Sequence, residues 1–181
     1  MKKFKTSKES RVSITELMLP SHSNFGGKVH GGHILNLMDQ IAFACASKHS
    51  QTYCVTASVN RVDFLNPIDV GNLVTLKASI NYTGRTSMVV GVRVEAENIT
   101  TGKKRHCNSS YFTMVGKDKH GKNVKVPGLL ITNKEELRRF ARSVERKLAV
   151  RQRDTKYETH DFDVKEYLKY LDGENVEINL G

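Results

Sequence analysis

The sequence predicts an α+β domain in which a mostly antiparallel, curved sheet wraps around one long central helix, followed by a C-terminal helical extension. Three observations carry this reading. In the first two thirds of the chain a single long stretch places apolar residues at helical spacing: Ile34, Leu37, Met38, Ile41 and Cys45. From Tyr53 to Val115 the pattern turns to β-branched and aromatic residues alternating with polar ones, interrupted by short turns. A length of 181 residues with 38% hydrophobic composition is enough for one domain with a real core.

Taken in order, residues 1–10 are polar and charged and read as a flexible N-terminal arm. Arg11 to Leu19 alternates and stops at Pro20, which predicts a first strand, and the loop Ser21 to Lys28 carries Asn24. The helix follows over Gly31 to His49. A second strand is predicted over Tyr53 to Leu65, punctuated by Asn66-Pro67 and Gly71. Leu73 to Tyr82 sets Leu76, Ala78, Ile80 and Tyr82 on one side, and a turn at Thr83-Gly84-Arg85 leads into Ser87 to Ala96, with Met88, Val90, Val92 and Val94 in step. A turn around Thr101-Gly102 precedes the last strand, Lys104 to Val115. The main domain is therefore drawn over residues 11–118. Residues 119–181 form a basic extension, in which Asn133 and Glu136 cap a helix running to about Arg151 and a short helix is expected over Val164 to Leu171. A sheet curled around one helix leaves an edge or face to cover, so self-association is the natural expectation.

The net charge of +10 attracts polyanions without choosing among nucleic acid, acidic membranes and phosphorylated small molecules. No nucleic-acid recognition module or aromatic-basic interleaving accompanies it, and no apolar run approaches a membrane span, so neither nucleic acid nor membrane is expected as a partner and a cytoplasmic location is the default. Cys45, Cys54 and Cys107 lack CxxC spacing and read as reduced thiols.

The chemistry concentrates at the entrance and middle of the predicted helix. Asp39 is the one acid in the apolar run, and a carboxylate there needs a hydrogen bond, a partner or neutralisation. Gly31 and Gly32 at the helix start allow close approach to the backbone and leave first-turn N–H groups available to an anion or a developing oxyanion. At about 1.5 Å of rise per residue, Gly32 and Asp39 are roughly 10 Å apart on nearly one face. That gap fits a carbonyl plus an attacking water, or two groups that each work with another subunit. Asn24 fits an Asx turn as well as a binding role. His30 and His33 have HxxH spacing but no third ligand at useful spacing, and no metal site is assigned.

Asn24, Gly27, His30-Gly31-Gly32, Met38-Asp39, Thr56-Ala57-Ser58-Val59, Val62-Asp63-Phe64, Asn66-Pro67, Gly71-Asn72 and Gly84-Arg85-Thr86-Ser87-Met88 occur in this order. With them the chain, from Val12 to Arg146, resembles the hotdog-fold acyl-CoA thioesterases, in particular the single-domain bacterial acyl-CoA hydrolases and each half of the two-domain animal enzymes. The resemblance implies a hotdog fold and hydrolysis of acyl-CoA to free fatty acid and CoA, with no metal or bound cofactor. It places the active site at the interface of a hotdog dimer, with Asp39 as general base or nucleophile. Asn24 would place the water or thioester across the interface, and the Gly31/Gly32 backbone would hold the oxyanion. Dimers of this kind assemble into trimers of dimers, so a hexamer is expected. For the CoA nucleotide the candidates are Arg85, Thr86 and Ser87, with Arg61 as a phosphate contact, set against plain turn chemistry and surface charge. A non-catalytic acyl-CoA-binding regulator or a hotdog dehydratase-like protein would share the scaffold.

Overall fold

The computed structural model describes residues 3–158 and 175–177. In chain order its elements are β1 (Phe4–Thr6), α1 (Ser7–Ser10), β2 (Val12–Leu17), a 3-10 turn (Pro20–His22), α2 (Gly31–Ser50), β3 (Tyr53–Val59), β4 (Asn72–Thr83), β5 (Ser87–Asn98), β6 (Lys104–Lys117), β7 (Gly128–Leu130) and α3 (Lys134–Glu158). The chain divides into a unit over Met1–Val144 and a second over Glu145–Gly181. In the second, α3 continues to Glu158 with Leu148 exposed. The short helix expected over residues 164–171 lies outside the described residues. No described helix is long and apolar enough to cross a membrane.

The first unit is built on a five-stranded antiparallel sheet in the order β2-β4-β5-β6-β3. Alternation dictates which face is apolar. Val74, Leu76, Ala78 and Ile80 of β4, Met88, Val90, Val92 and Val94 of β5, and Phe112 and Met114 of β6 are all buried. Onto them α2 lays Ile34, Leu37, Met38, Ile41, Ala42, Cys45 and Ala46, each large side chain contributing about 1.5–3 kcal/mol by leaving water. Irregular register between Thr56 and Ser58, Ile80 and Tyr82, and Val94 and Glu95 supplies the bends by which such a sheet curls around a helix. β3 pairs with β6 and ends the sheet, with Tyr53 and Val59 exposed along it.

Two sequence expectations change. Residues 4–10 are not a loose arm: β1 runs parallel to β7, with Phe4 opposite Gly128, and α1 follows directly. A lysine-rich segment is ordered here because Lys5, 7% exposed, sends its ammonium to the end of α2, donating to Lys48 O at 3.2 Å and His49 O at 2.8 Å. Those are the carbonyls that a helix leaves unpaired at its negative end. Gly128 gives the Phe4 ring its place opposite, since a Cβ there would stand 2.5 Å from that ring and displace it. Second, β3 stops at Val59 instead of Leu65. The segment beyond it stays against β6 through Asn60 N–H to Tyr111 O at 2.9 Å and Leu65 N–H to Cys107 O at 2.9 Å, while Phe64 and Leu65 remain largely exposed.

The start of α3 is tied to the same N-terminal region. Asn133 Oδ1 accepts from Glu136 N–H at 2.9 Å, the capping role expected of it. The buried Glu136 carboxylate accepts from Ser7 Oγ, Thr132 N–H and Oγ1, and Arg11. Burial alone pushes this carboxyl up, but the hydrogen bonds from Thr132 and Ser7, with the Arg11 charge, outweigh it and hold the group below the usual carboxylate range.

Candidate active site

The loop ahead of α2 is held rigidly. Asn24 N–H donates to Lys28 O at 2.7 Å, and Asn24 Oδ1 accepts from Gly26 N–H at 2.9 Å and Lys28 N–H at 3.2 Å. The Asx-turn reading therefore describes its oxygen, and the Nδ2 donors have no partner among the described residues. Bridges from Ser23 to Val29 and from Lys28 to Asp69 close the loop. Asp69 joins Lys28 at 2.6 Å and Arg105 at 2.5 Å, and these two cations lower its pKa.

His30 caps α2, its Nδ1 accepting the Gly32 N–H at 2.9 Å. This corrects one expectation: the Gly32 amide is already satisfied and is not a free oxyanion donor. The Gly31 N–H keeps no partner among the described residues. The Phe64 ring lies against Gly31, where a Cβ would stand 3.1 Å from its Cζ. His30 and His33 do not act as an HxxH pair, because His30 is used as the cap and His33 turns to Glu16 at 3.1 Å.

Asp39 sits two turns into α2, just off the buried stripe of Leu37, Met38, Ile41 and Ala42, and it is exposed instead of sunk in the apolar face. Its partner is Thr56 on β3, whose hydroxyl donates to Asp39 Oδ1 at 2.5 Å and also lies 3.4 Å from Met114 Sδ. Sequence reasoning gave Thr56 no role of its own, although an exposed Thr inside an apolar strand is the kind of residue that meets an acid on a neighbouring helix. No hydrogen bond joins Asp39 to Asn24, Gly31 or Gly32 among the described residues. The acid and its threonine instead border the free edge of β3. All three thiols are buried, and burial pushes the Cys45 thiol up to about 12 and raises that of Cys107, which disfavours both as rival nucleophiles.

The candidate CoA contacts spread from the middle of β6 to its C-terminal end. Arg61 is exposed and paired with Asp63 at 2.7 Å, close to Ser110, whose Oγ donates to Arg61 O. Ser87 lies opposite Val115, about 17 Å farther along the strand, with Arg85 exposed beside it. An open groove of 710 Å³ lined by Thr52, Tyr53, Val55, Lys117, Asp118, Lys119 and Gly121 flanks β3 near the C-terminal end of β6.

A profile of the thioesterase superfamily matches residues 26–103. The structure matches that of an apo-hexameric acyl-CoA thioesterase with a TM-score of 0.81 at 36% identity, over 83% of this chain and 97% of that one. The chain belongs to the hotdog-fold acyl-CoA thioesterases. Within this family it is also similar to the uncharacterised acyl-CoA thioester hydrolase YkhA of Bacillus subtilis, 34% identical over 77% of this chain and 81% of that protein. The acyl-CoA hydrolase of Staphylococcus aureus, solved with butyryl-CoA, CoA and CoA disulfide, matches with a TM-score of 0.79 at 28% identity, over 93% of this chain and 99% of that one. That hydrolase has also been solved as alanine variants of an aspartate, an asparagine and a threonine. Measured against this thioesterase family, the five-stranded sheet curled around α2 is the hotdog scaffold.

Proposed function

We propose that this protein hydrolyses acyl-CoA thioesters to free fatty acid and CoA, with Asp39 as general base. The observation that carries this reading is the Asp39–Thr56 hydrogen bond at the free edge of β3. Thr56 holds one carboxylate oxygen, which fixes the rotamer and leaves the other to take a proton from water. The water attacks the thioester carbonyl, whose oxygen gathers negative charge against the Gly31 N–H and the positive end of the α2 dipole. Collapse of the tetrahedral intermediate expels CoA thiolate, a good leaving group that needs little protonation. General-base assistance supplies about 10²–10⁴-fold, and one oxyanion donor about 10²–10³-fold.

The variants studied in the S. aureus hydrolase support this assignment. The intervals along that chain between its asparagine, aspartate and threonine equal those between Asn24, Asp39 and Thr56 here. Within one chain Asn24 reaches neither Asp39 nor Thr56, so the set closes across a dimer formed at β3, where the Nδ2 donors of Asn24 of the partner subunit orient the water or the thioester. The hexameric relatives favour a trimer of such dimers. Arg85, Thr86 and Ser87 are assigned to the CoA nucleotide, and Arg61 to a phosphate.

The test is release of CoA thiol, followed with a thiol reagent from acetyl- to palmitoyl-CoA, for wild type and Asp39→Ala. Turnover lost in the variant with CoA binding retained supports the mechanism. Turnover that survives Asp39→Ala removes the general base. CoA binding without turnover in the wild type makes the protein a regulator.

A further inference from the structure

We propose that Glu16, His22 and His33 bind one divalent transition ion, with Zn²⁺ the best match, at a site apart from the hydrolytic one. Among the described residues these three form a group whose ligand atoms all lie within 4.8 Å of one another. They come from three elements: β2, the 3-10 turn and the first turn of α2. Two ligands about 2.1 Å from a tetrahedral ion stand about 3.4 Å apart. Glu16 Oε1 is 3.1 Å from His33 Nε2 and 3.8 Å from His22 Nδ1, which brackets that spacing.

At His22 the electronic state also fits, while His33 Nε2, which donates to the Glu16 carboxylate at 3.1 Å, releases that proton on binding the ion. Leu19 N–H donates to His22 Nδ1 over a long 3.2 Å, so this nitrogen carries a lone pair instead of a proton, the ligating form, and an ion replaces a weak contact. The two imidazoles stack with centroids 3.9 Å apart and planes 20° from parallel, which gathers both rings beside one carboxylate. Because each nitrogen's lone pair lies in its ring plane, binding turns the two rings out of this stack until both meet one ion. Two nitrogens and one carboxylate oxygen select a borderline ion such as Zn²⁺ over Mg²⁺ or Ca²⁺, which prefer all-oxygen shells. Side-chain exposures of 19%, 22% and 35% leave room for water in the remaining coordination positions. The ion takes no part in hydrolysis. It staples β2 and the turn before Asn24 to the start of α2, setting the base of the Asn24 loop.

The test uses the full chain after removal of metal with a chelator, titrated calorimetrically with Zn²⁺ and melted with and without it. Wild type should bind one ion per chain and melt at higher temperature with it. His22→Gln and His33→Gln should each weaken binding by more than about tenfold, the loss that even outer partners of a metal can cause. His120→Gln, in the exposed turn after β6, should change nothing. The absence of saturable binding, or binding that both His22→Gln and His33→Gln leave intact, overturns the proposal. Should those variants misfold by circular dichroism, the visible spectrum of Co²⁺ added to the wild type decides. Intense bands of a tetrahedral imidazole-bound ion support the site, and the weak spectrum of hydrated Co²⁺ overturns it.

Discussion

The two ends of α2 are finished differently. At its C-terminal end the polar groups of the junction are met within the chain, the buried Ser47 Oγ excepted: Lys5 caps Lys48 and His49, and the fully buried His49 shares Nδ1 with Ser10 Oγ at 3.0 Å and donates from Nε2 to Pro127 O at 3.3 Å. Toward its N-terminal half the Gly31 N–H, the Nδ2 of Asn24 and the outer oxygen of Asp39 are left unclaimed among the described residues, Asp39 lying beside the free edge of β3. One helix thus has a structural end and a chemical end. In the proposed mechanism, the hydrogen-bonding capacity left unspent in the open is where substrate and a second copy would be received, because such groups are costly to leave unpaired in a buried junction.

The sharpest way to break this contrast is Asp39→Ala. It should lower kcat/KM by about 10²–10⁴-fold while leaving the melting temperature within a degree or so of wild type, since the side chain is exposed. Thr56→Ala should cost about 10–100-fold, one charge-assisted hydrogen bond, and Thr56→Ser should restore most of it. At the structural end the pattern should invert. Glu136→Ala strands the donors of Ser7 and Thr132 and should lower stability by about 2 kcal/mol in urea unfolding, with thiol release per folded molecule unchanged.

His49 adds a pH dependence to that end. Burial is the main cause that lowers its pKa, with Lys5 repelling the imidazolium and the Pro127 carbonyl and Glu9 opposing the shift. The unfolded chain therefore takes up this proton first as pH falls. Stability from His49 is complete above about pH 6.5 and is lost as pH drops from there through the lowered folded value, at no more than about 1.4 kcal/mol per pH unit. Urea midpoints measured from pH 8 to 5 should fall, and His49→Phe should flatten the dependence. The smallest effect is expected of Gly32→Ala. Its Cβ would press on His30 Nδ1 at 3.0 Å, loosening the cap for about 1 kcal/mol, and its effect on thiol release should be far below that of Asp39→Ala.

What was legible in the sequence followed from periodicity. The stripe from Ile34 to Cys45 and the alternation of β4 and β5 report local geometry facing a core, and all three elements appear within a residue or two of where the pattern puts them. The Gly-Gly entrance and Asp39 stood out because such residues are costly in an apolar helix. What escaped depends on long-range pairing. Nothing near Phe4 announces Gly128, and nothing near Asp39 announces Thr56. The capping of Gly32 by His30 turns on one imidazole rotamer, and β3 ends at Val59 because the chain that follows trades ladder pairing for separate contacts with β6.

The β1–β7 clamp reverses the order of synthesis. Lys5 leaves the ribosome before all of the five-stranded sheet, yet the strand that holds its segment in place is made only after that sheet. Contacts between segments so distant along the chain form late, because the intervening loop must first be ordered. The earliest-made lysine of the clamp is thus among the last to settle, and a nascent or C-terminally shortened chain carries α2 with its carbonyl end uncapped.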